Sequence, residues 1–240
     1  MSQKTKGILQ LIGPRHAGKT TLCELFLQEF SAQHILAVDA TQDQGLSYRL
    51  TLDNPPKPVS GLIDSLTSLP PDNHEAIDWA FHDLVHPVKE EADLLLLGNL
   101  SQDCLPGVLK KLTFGFTRLL DSYDYVVIDG SDPFLTRCLS HLPPDLLQTV
   151  VVVSPSTTQQ EWGDLSQALS GQSPALVLNY ATEASGSSVP VPVFIEQALE
   201  AGDFHLVGKL PTYASAEDRI KEMPEMFKNC LLRLELALPV

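Results

Sequence analysis

Positive charge is scarce in this chain. Sixteen Lys and Arg against thirty Asp and Glu leave a formal net charge of -14 over 240 residues. A surface of that sign repels phosphate backbones, so the expectation is no direct nucleic-acid partner. Cysteine is sparse and scattered: Cys23, Cys104, Cys138 and Cys230 form no CxxC or CxC pair. That excludes a legible disulfide framework and a self-contained zinc knuckle. Cys23, Cys138 and Cys230 stand in apolar, helix-like surroundings and read as small core hydrophobes. No apolar run reaches the roughly 18 residues of a membrane span, and MSQKTKG leads into a strand-like segment without the apolar stretch of a secretory signal. The expectation is a cytoplasmic protein with no membrane span. Internal repeats and low-complexity tracts are also lacking.

What the chain has is apolar residues, 43% of the total, enough for one domain over residues 1–240. Strand-length runs of Val, Ile and Leu recur at 8–13, 34–40, 93–100, 125–130, 149–155, 175–180 and 205–210. Runs without polar alternation suit strands buried on both faces, hence a mostly parallel sheet covered by helices. Helical spacing appears between them at 20–30, 107–120, 195–199 and 220–236. The expected fold class is α/β, a three-layer α/β/α sandwich with right-handed crossovers. The proline-rich stretch 54–73 and the segment 183–192 read as irregular excursions.

The stretch from Gly7 to Leu22 reads GILQLIGPRHAGKTTL. Gly13 to Thr20 fits G-x-x-x-x-G-K-[ST], a phosphate-binding loop, with an apolar strand before it and the helical pattern TTLCELFLQEF after it. The chemistry needs that order. Backbone N–H groups of Gly13, Arg15, His16, Ala17, Gly18 and Thr21 and the helix N-terminus would wrap a phosphate, Lys19 would offset β- and γ-charge, and the Thr20 hydroxyl would reach Mg²⁺. YDYVVIDG (123–130) is a second anchor. An acidic residue at the C-terminal end of a neighbouring strand supports magnesium, which points to Asp129.

The order of these motifs resembles the MinD/ParA group of P-loop ATPases, and within it the nickel-insertion ATPases of the CooC type. The resemblance runs along nearly the whole chain. ILAVDATQDQGLSYRL (35–50) is similar to the family's first switch, LLLLGNL (94–100) to its central strand, VVIDG to its second switch, and LVLNY (176–180) with VGKLPTYAS (207–215) to its adenine-side motifs. It implies binding of Mg-ATP, a nucleotide-dependent homodimer and a protein partner. Asn179 would hydrogen-bond the base and Pro211 would pack near it. An NKxD guanine motif is lacking, since Asn179 is followed by Tyr-Ala-Thr.

Three departures from the family pattern bear on turnover and on metal binding. The family loop KGGxGK[ST] begins with a lysine that reaches the partner's phosphates; Pro14 stands there, and Arg15 beside it is the candidate replacement. The water-activating aspartate of the first switch corresponds to Thr41, so either Asp39 or Asp43 takes that role or hydrolysis is slow. The family's metal-binding CxC pair is reduced to Cys104, with His82 and His86 at i, i+4 on an expected helical face, and His74 before them, as possible supplements. The tail 221–240 is amphipathic but poor in cations, and reads as a closing core helix rather than a membrane-targeting one. Three functions follow in order: a nucleotide-dependent switch with weak or partner-stimulated hydrolysis, a non-hydrolysing adaptor, and a metallochaperone for a nickel enzyme.

Overall fold

Uninterrupted Val, Ile and Leu bury both faces of a strand, and here they build the centre of one sheet. The computed structural model describes residues 7–30, 33–41, 45–51, 65–89, 92–97, 106–130, 135–136, 139–142, 146–172, 174–181 and 190–212. Within these the chain runs β1 (Gly7–Ile12), α1 (Lys19–Glu29), β2 (Ile35–Asp39), α2 (Gly45–Thr51), α3 (His74–His82), β3 (Val85–Lys89), β4 (Ala92–Leu96), α4 (Pro106–Ser122), β5 (Tyr125–Asp129), β6 (Leu147–Val153), α5 (Gln159–Ala168), β7 (Ala175–Ala181), α6 (Val193–Ala201) and β8 (His205–Thr212). The eight strands form one sheet in the order β3-β4-β2-β5-β1-β6-β7-β8. All pairings are parallel except β3 with β4. The α/β expectation holds.

Alternation along β6 shows the layering. Val150 and Val152 join a large core with Leu22, Cys23 and Phe26 of α1 and Leu112 and Phe116 of α4. Val151 and Val153 face a second core built on Trp162 of α5 and Ile195 of α6. Trp162 packs there against Phe204, ring centroids 4.7 Å apart. Helices therefore cover both faces, as a sheet of buried parallel strands requires.

The structure corrects the reading at several places. His82 closes α3 and His86 lies in β3 opposite Leu94, so the two histidines do not share a helical face. The cause is local: Pro87 has no N–H for a helix interior, and Val85 and Val88 favour the pleated edge, where proline is tolerated. β3 itself was not expected, nor was α5. The latter carries a signal in sequence, Thr158 and Glu161, whose side chains cap each other's backbone N–H groups in a capping box. Within the expected excursion 54–73, residues 65–68 form a helical turn, and Lys111 of α4 donates to the carbonyls of Leu66 and Leu69. The helix expected at 220–236 and the loop at 183–189 lie outside the described residues. Among the described residues no helix is long and apolar enough to cross a membrane.

Helices α3 and α4 meet through Gly115. A Cβ there would stand 2.1 Å from the ring of buried Phe81. Gly163, in α5, has nothing within 4 Å of the same position. Adding a methyl group should thus act oppositely at the two sites. Gly115→Ala is expected to destabilise, because overpacking costs about 1–3 kcal/mol and outweighs the gain in helix propensity. Gly163→Ala keeps only that gain, up to about 1 kcal/mol. Urea unfolding of the two variants against the parent checks the sign of each.

Candidate phosphate-binding site

β1 lies between β5 and β6, so the turn leaving it emerges at the centre of the sheet's C-terminal edge. Glycine is required at both ends of that turn. Gly13 has φ +153°, and a Cβ on it would stand 2.0 Å from the Val152 carbonyl oxygen of β6. Gly18 has φ +97° and forms the N-cap of α1, which has no side-chain cap and no acidic residue in its first turn. The helix dipole and the first-turn N–H groups there favour an anion. Between the glycines, Arg15 and His16 are exposed and Ala17 is buried. His16 takes a left-handed φ of +63° at the place of the family loop's second glycine. Histidine is one of the few non-glycine residues enriched in that region.

Lys19 is buried and folds back along the loop. Its Nζ donates to the carbonyls of Gly13 at 3.1 Å and Pro14 at 2.8 Å. The ammonium is thereby held at the loop rather than left to swing on its four-carbon stem. One residue on, the Thr20 hydroxyl donates to Asp129 Oδ2 at 2.6 Å. Asp129 ends β5 and is fully buried. A hydroxyl and a carboxylate in contact make a pair of hard oxygen donors, the chemistry that suits Mg²⁺. Thr21 faces α2 instead, where its hydroxyl accepts from Arg49 Nη1 at 3.1 Å, a guanidinium that also meets Glu24 at 3.1 Å.

Asp39 ends β2 in register with Asp129, but its carboxylate is used differently. Oδ1 accepts from Thr41 N at 3.0 Å and Thr41 Oγ1 at 2.6 Å. Oδ2 accepts from Ser47 N at 2.8 Å and Ser47 Oγ at 2.6 Å. Four donors thus converge on one buried carboxylate, which caps the first turn of α2. Thr41 Oγ1 in turn accepts from Gly45 N at 3.3 Å. Sequence reasoning missed Ser47 and Arg49. Neither has a local signal, since their partners lie 8 and 25–28 residues away.

The remaining predicted residues lie at the site, elsewhere in the sheet, or outside the described residues. Asn179 of β7 does reach the site, donating from Nδ2 to the Ala17 carbonyl at 2.7 Å. Pro211 stands in β8 opposite Tyr180. Asp43 and Cys104 lie outside the described residues. Among the described residues no group of three or more His, Cys, Asp or Glu side chains gathers as a metal centre.

The sequence matches no family model and no curated protein. Solved structures match along almost the full chain. A plasmid partition protein of Borrelia burgdorferi bound to AMPPNP is 14% identical with a TM-score of 0.68, over 98% of this chain and 100% of the other. The MinD cell division protein of Aquifex aeolicus is 15% identical with a TM-score of 0.61, over 95% and 96% of the two chains. Cobyrinic acid a,c-diamide synthase of Mycobacterium smegmatis with bound ADP and magnesium is 15% identical with a TM-score of 0.52, over 98% and 84%. The fold is that of the MinD/ParA-type P-loop proteins.

Cys23, behind the loop in α1, is fully buried. Burial pushes its thiol well above the ordinary range, and the carboxylates of Asp129 and Asp39 add to the shift against an opposing effect of Lys19. The thiolate is the reactive form. Cys23 should therefore resist iodoacetamide at pH 8 in the folded protein and react in guanidinium, as read by peptide mass spectrometry; equal labelling in both states would contradict the burial.

Proposed function

We propose that this chain binds Mg-ATP at the loop from Gly13 to Thr21, forms a homodimer around it, and passes that state to a protein partner, with hydrolysis weak or dependent on the partner. The observation that carries the reading is the pairing of Lys19, bound to the loop's own carbonyls, with the Thr20–Asp129 contact at the C-terminal edge of parallel strands. Open α/β sheets bind ligands at that edge, where the strand order reverses. Thr20 and Asp129 would hold magnesium, Thr20 directly and Asp129 behind it. When bound, magnesium offsets charge on the β- and γ-oxygens of the nucleotide. The bound AMPPNP and ADP of the similar structures support a nucleotide at this loop.

Dimerisation concentrates phosphate charge between two loops, so a cation from the opposite chain is needed. Pro14 cannot supply it, and exposed Arg15 is the basic residue of the loop besides Lys19. Its planar guanidinium suits phosphate oxygens. Partner recognition follows the nucleotide state of that dimer. The complex of MinC with MinD in Aquifex aeolicus, a similar structure, supports a protein partner.

A second reading, a non-hydrolysing adaptor, draws on the state of the first switch. Both oxygens of Asp39 are committed to Thr41 and Ser47, and a threonine hydroxyl cannot act as a general base as a carboxylate does. Asp43 is the other candidate for positioning water. The narrower CooC-type reading, delivery of nickel with Cys104 as a ligand, draws on the sequence resemblance alone.

Calorimetry tests the leading reading. Lys19→Ala is expected to abolish Mg-ATP binding with an unchanged circular-dichroism spectrum, and equal affinity in both proteins would overturn the assignment. For the dimer, sedimentation with AMPPNP should show association in the parent chain that Arg15→Ala weakens more than it weakens nucleotide binding. A parent chain that stays monomeric would favour the adaptor.

A further inference from the structure

Asn179 lies 162 residues from the loop in sequence and two strands away in the sheet, yet its side chain is the one that touches the loop's left-handed end. Nδ2 donates to the Ala17 carbonyl at 2.7 Å. The same amide fills the space beside Gly18, where a Cβ would come within 2.1 Å of Nδ2. Two facts thus describe one fit: glycine at 18 leaves the room, and Asn179 occupies it. A carbonyl acceptor requires the NH₂ end of the amide to face the loop, which settles the amide's orientation.

We propose that Asn179 is a positioning residue for the phosphate loop, acting through the Ala17–Gly18 peptide; this deepens the nucleotide reading above and rests on it. In a trans peptide the C=O and N–H point to opposite sides. Holding the Ala17 carbonyl towards β7 therefore turns the Gly18 N–H away from β7. A loop that binds phosphate through N–H groups depends on the orientation of each peptide plane, and a glycine with φ +97° has the greatest freedom to rotate. The bond from Asn179 removes that freedom before the ligand arrives, so the loop need not be ordered on binding. The family resemblance assigns Asn179 to the base; here one of its amide N–H groups is given to the loop.

The two roles separate when the base is removed from the ligand. Calorimetry with magnesium tripolyphosphate, which has the phosphates and no base, and with Mg-ATP should be run on the parent chain, Asn179→Ala and Asn179→Asp. The aspartate keeps the shape but sets an acceptor against the Ala17 carbonyl. Positioning through the loop predicts that each variant loses affinity for the two ligands by the same factor, roughly tenfold or more, with an unchanged circular-dichroism spectrum. Weakening confined to Mg-ATP would show base reading and overturn the proposal, as would unchanged binding of both. A parent chain that takes up neither ligand would overturn the nucleotide reading and the positioning role with it. Should the variants fail to fold, the parent chain still decides the matter by NMR. The Asn179 side-chain amide protons should exchange slowly and shift with tripolyphosphate alone; a shift only with ATP would overturn the proposal.

Discussion

The geometry of the site depends on two missing methyl groups. Gly13 and Gly18 let the turn after β1 close against its neighbours, one on the Val152 carbonyl of β6 and the other on the Asn179 amide of β7. A side chain at either place would push the loop off the sheet edge. With the loop seated, its carbonyls face Lys19 and α1 begins where Thr20 meets Asp129. Three strands and one helix are thus tied through backbone atoms of a single turn. The strain of a left-handed His16, of order 1–3 kcal/mol for a non-glycine residue, is held by the structure on either side of it.

Two buried carboxylates stand side by side at this edge, and their surroundings give them different chemistry. Asp39 is saturated by four donors and serves to hold α2, which Arg49 also fastens to α1. Asp129 meets the Thr20 hydroxyl at the helix N-terminus. Burying a carboxylate without donors is costly. Once Asp39 has Thr41 and Ser47, freeing it to orient water would mean giving up hydrogen bonds to a charged group, each about 1.5–3 kcal/mol. That is the physical ground for expecting slow turnover from a site well shaped to bind.

The sheet was legible because burial on both faces favours runs of Val, Ile and Leu along a strand, and the loop was legible because its spacing follows from the reach of one turn. Thr20 and Asp129 meet because β5, which ends in Asp129, pairs with β1, which leads into the loop. β3 was hidden: VHPVK is five residues long, interrupted by proline and contiguous with a helix, so its apolar residues continue the helical pattern of α3. The capping pair Thr158 and Glu161 marked α5 in plain sight. What could not be read was contact between distant side chains. Ser47 on Asp39 depends on how the chain turns from β2 into α2, and Asn179 on Ala17 on how strands are ordered; periodicity within one segment holds no trace of either.

The central claim is that this edge is a magnesium-dependent nucleotide site, prepared by the Thr20–Asp129 pair. Its most direct test is a calorimetric titration of the parent chain with AMPPNP, in magnesium and then in EDTA. The account predicts one ligand per chain with magnesium and an affinity at least roughly tenfold weaker without it, a difference of about 1.4 kcal/mol. Absence of binding, or the same affinity in EDTA, would contradict it.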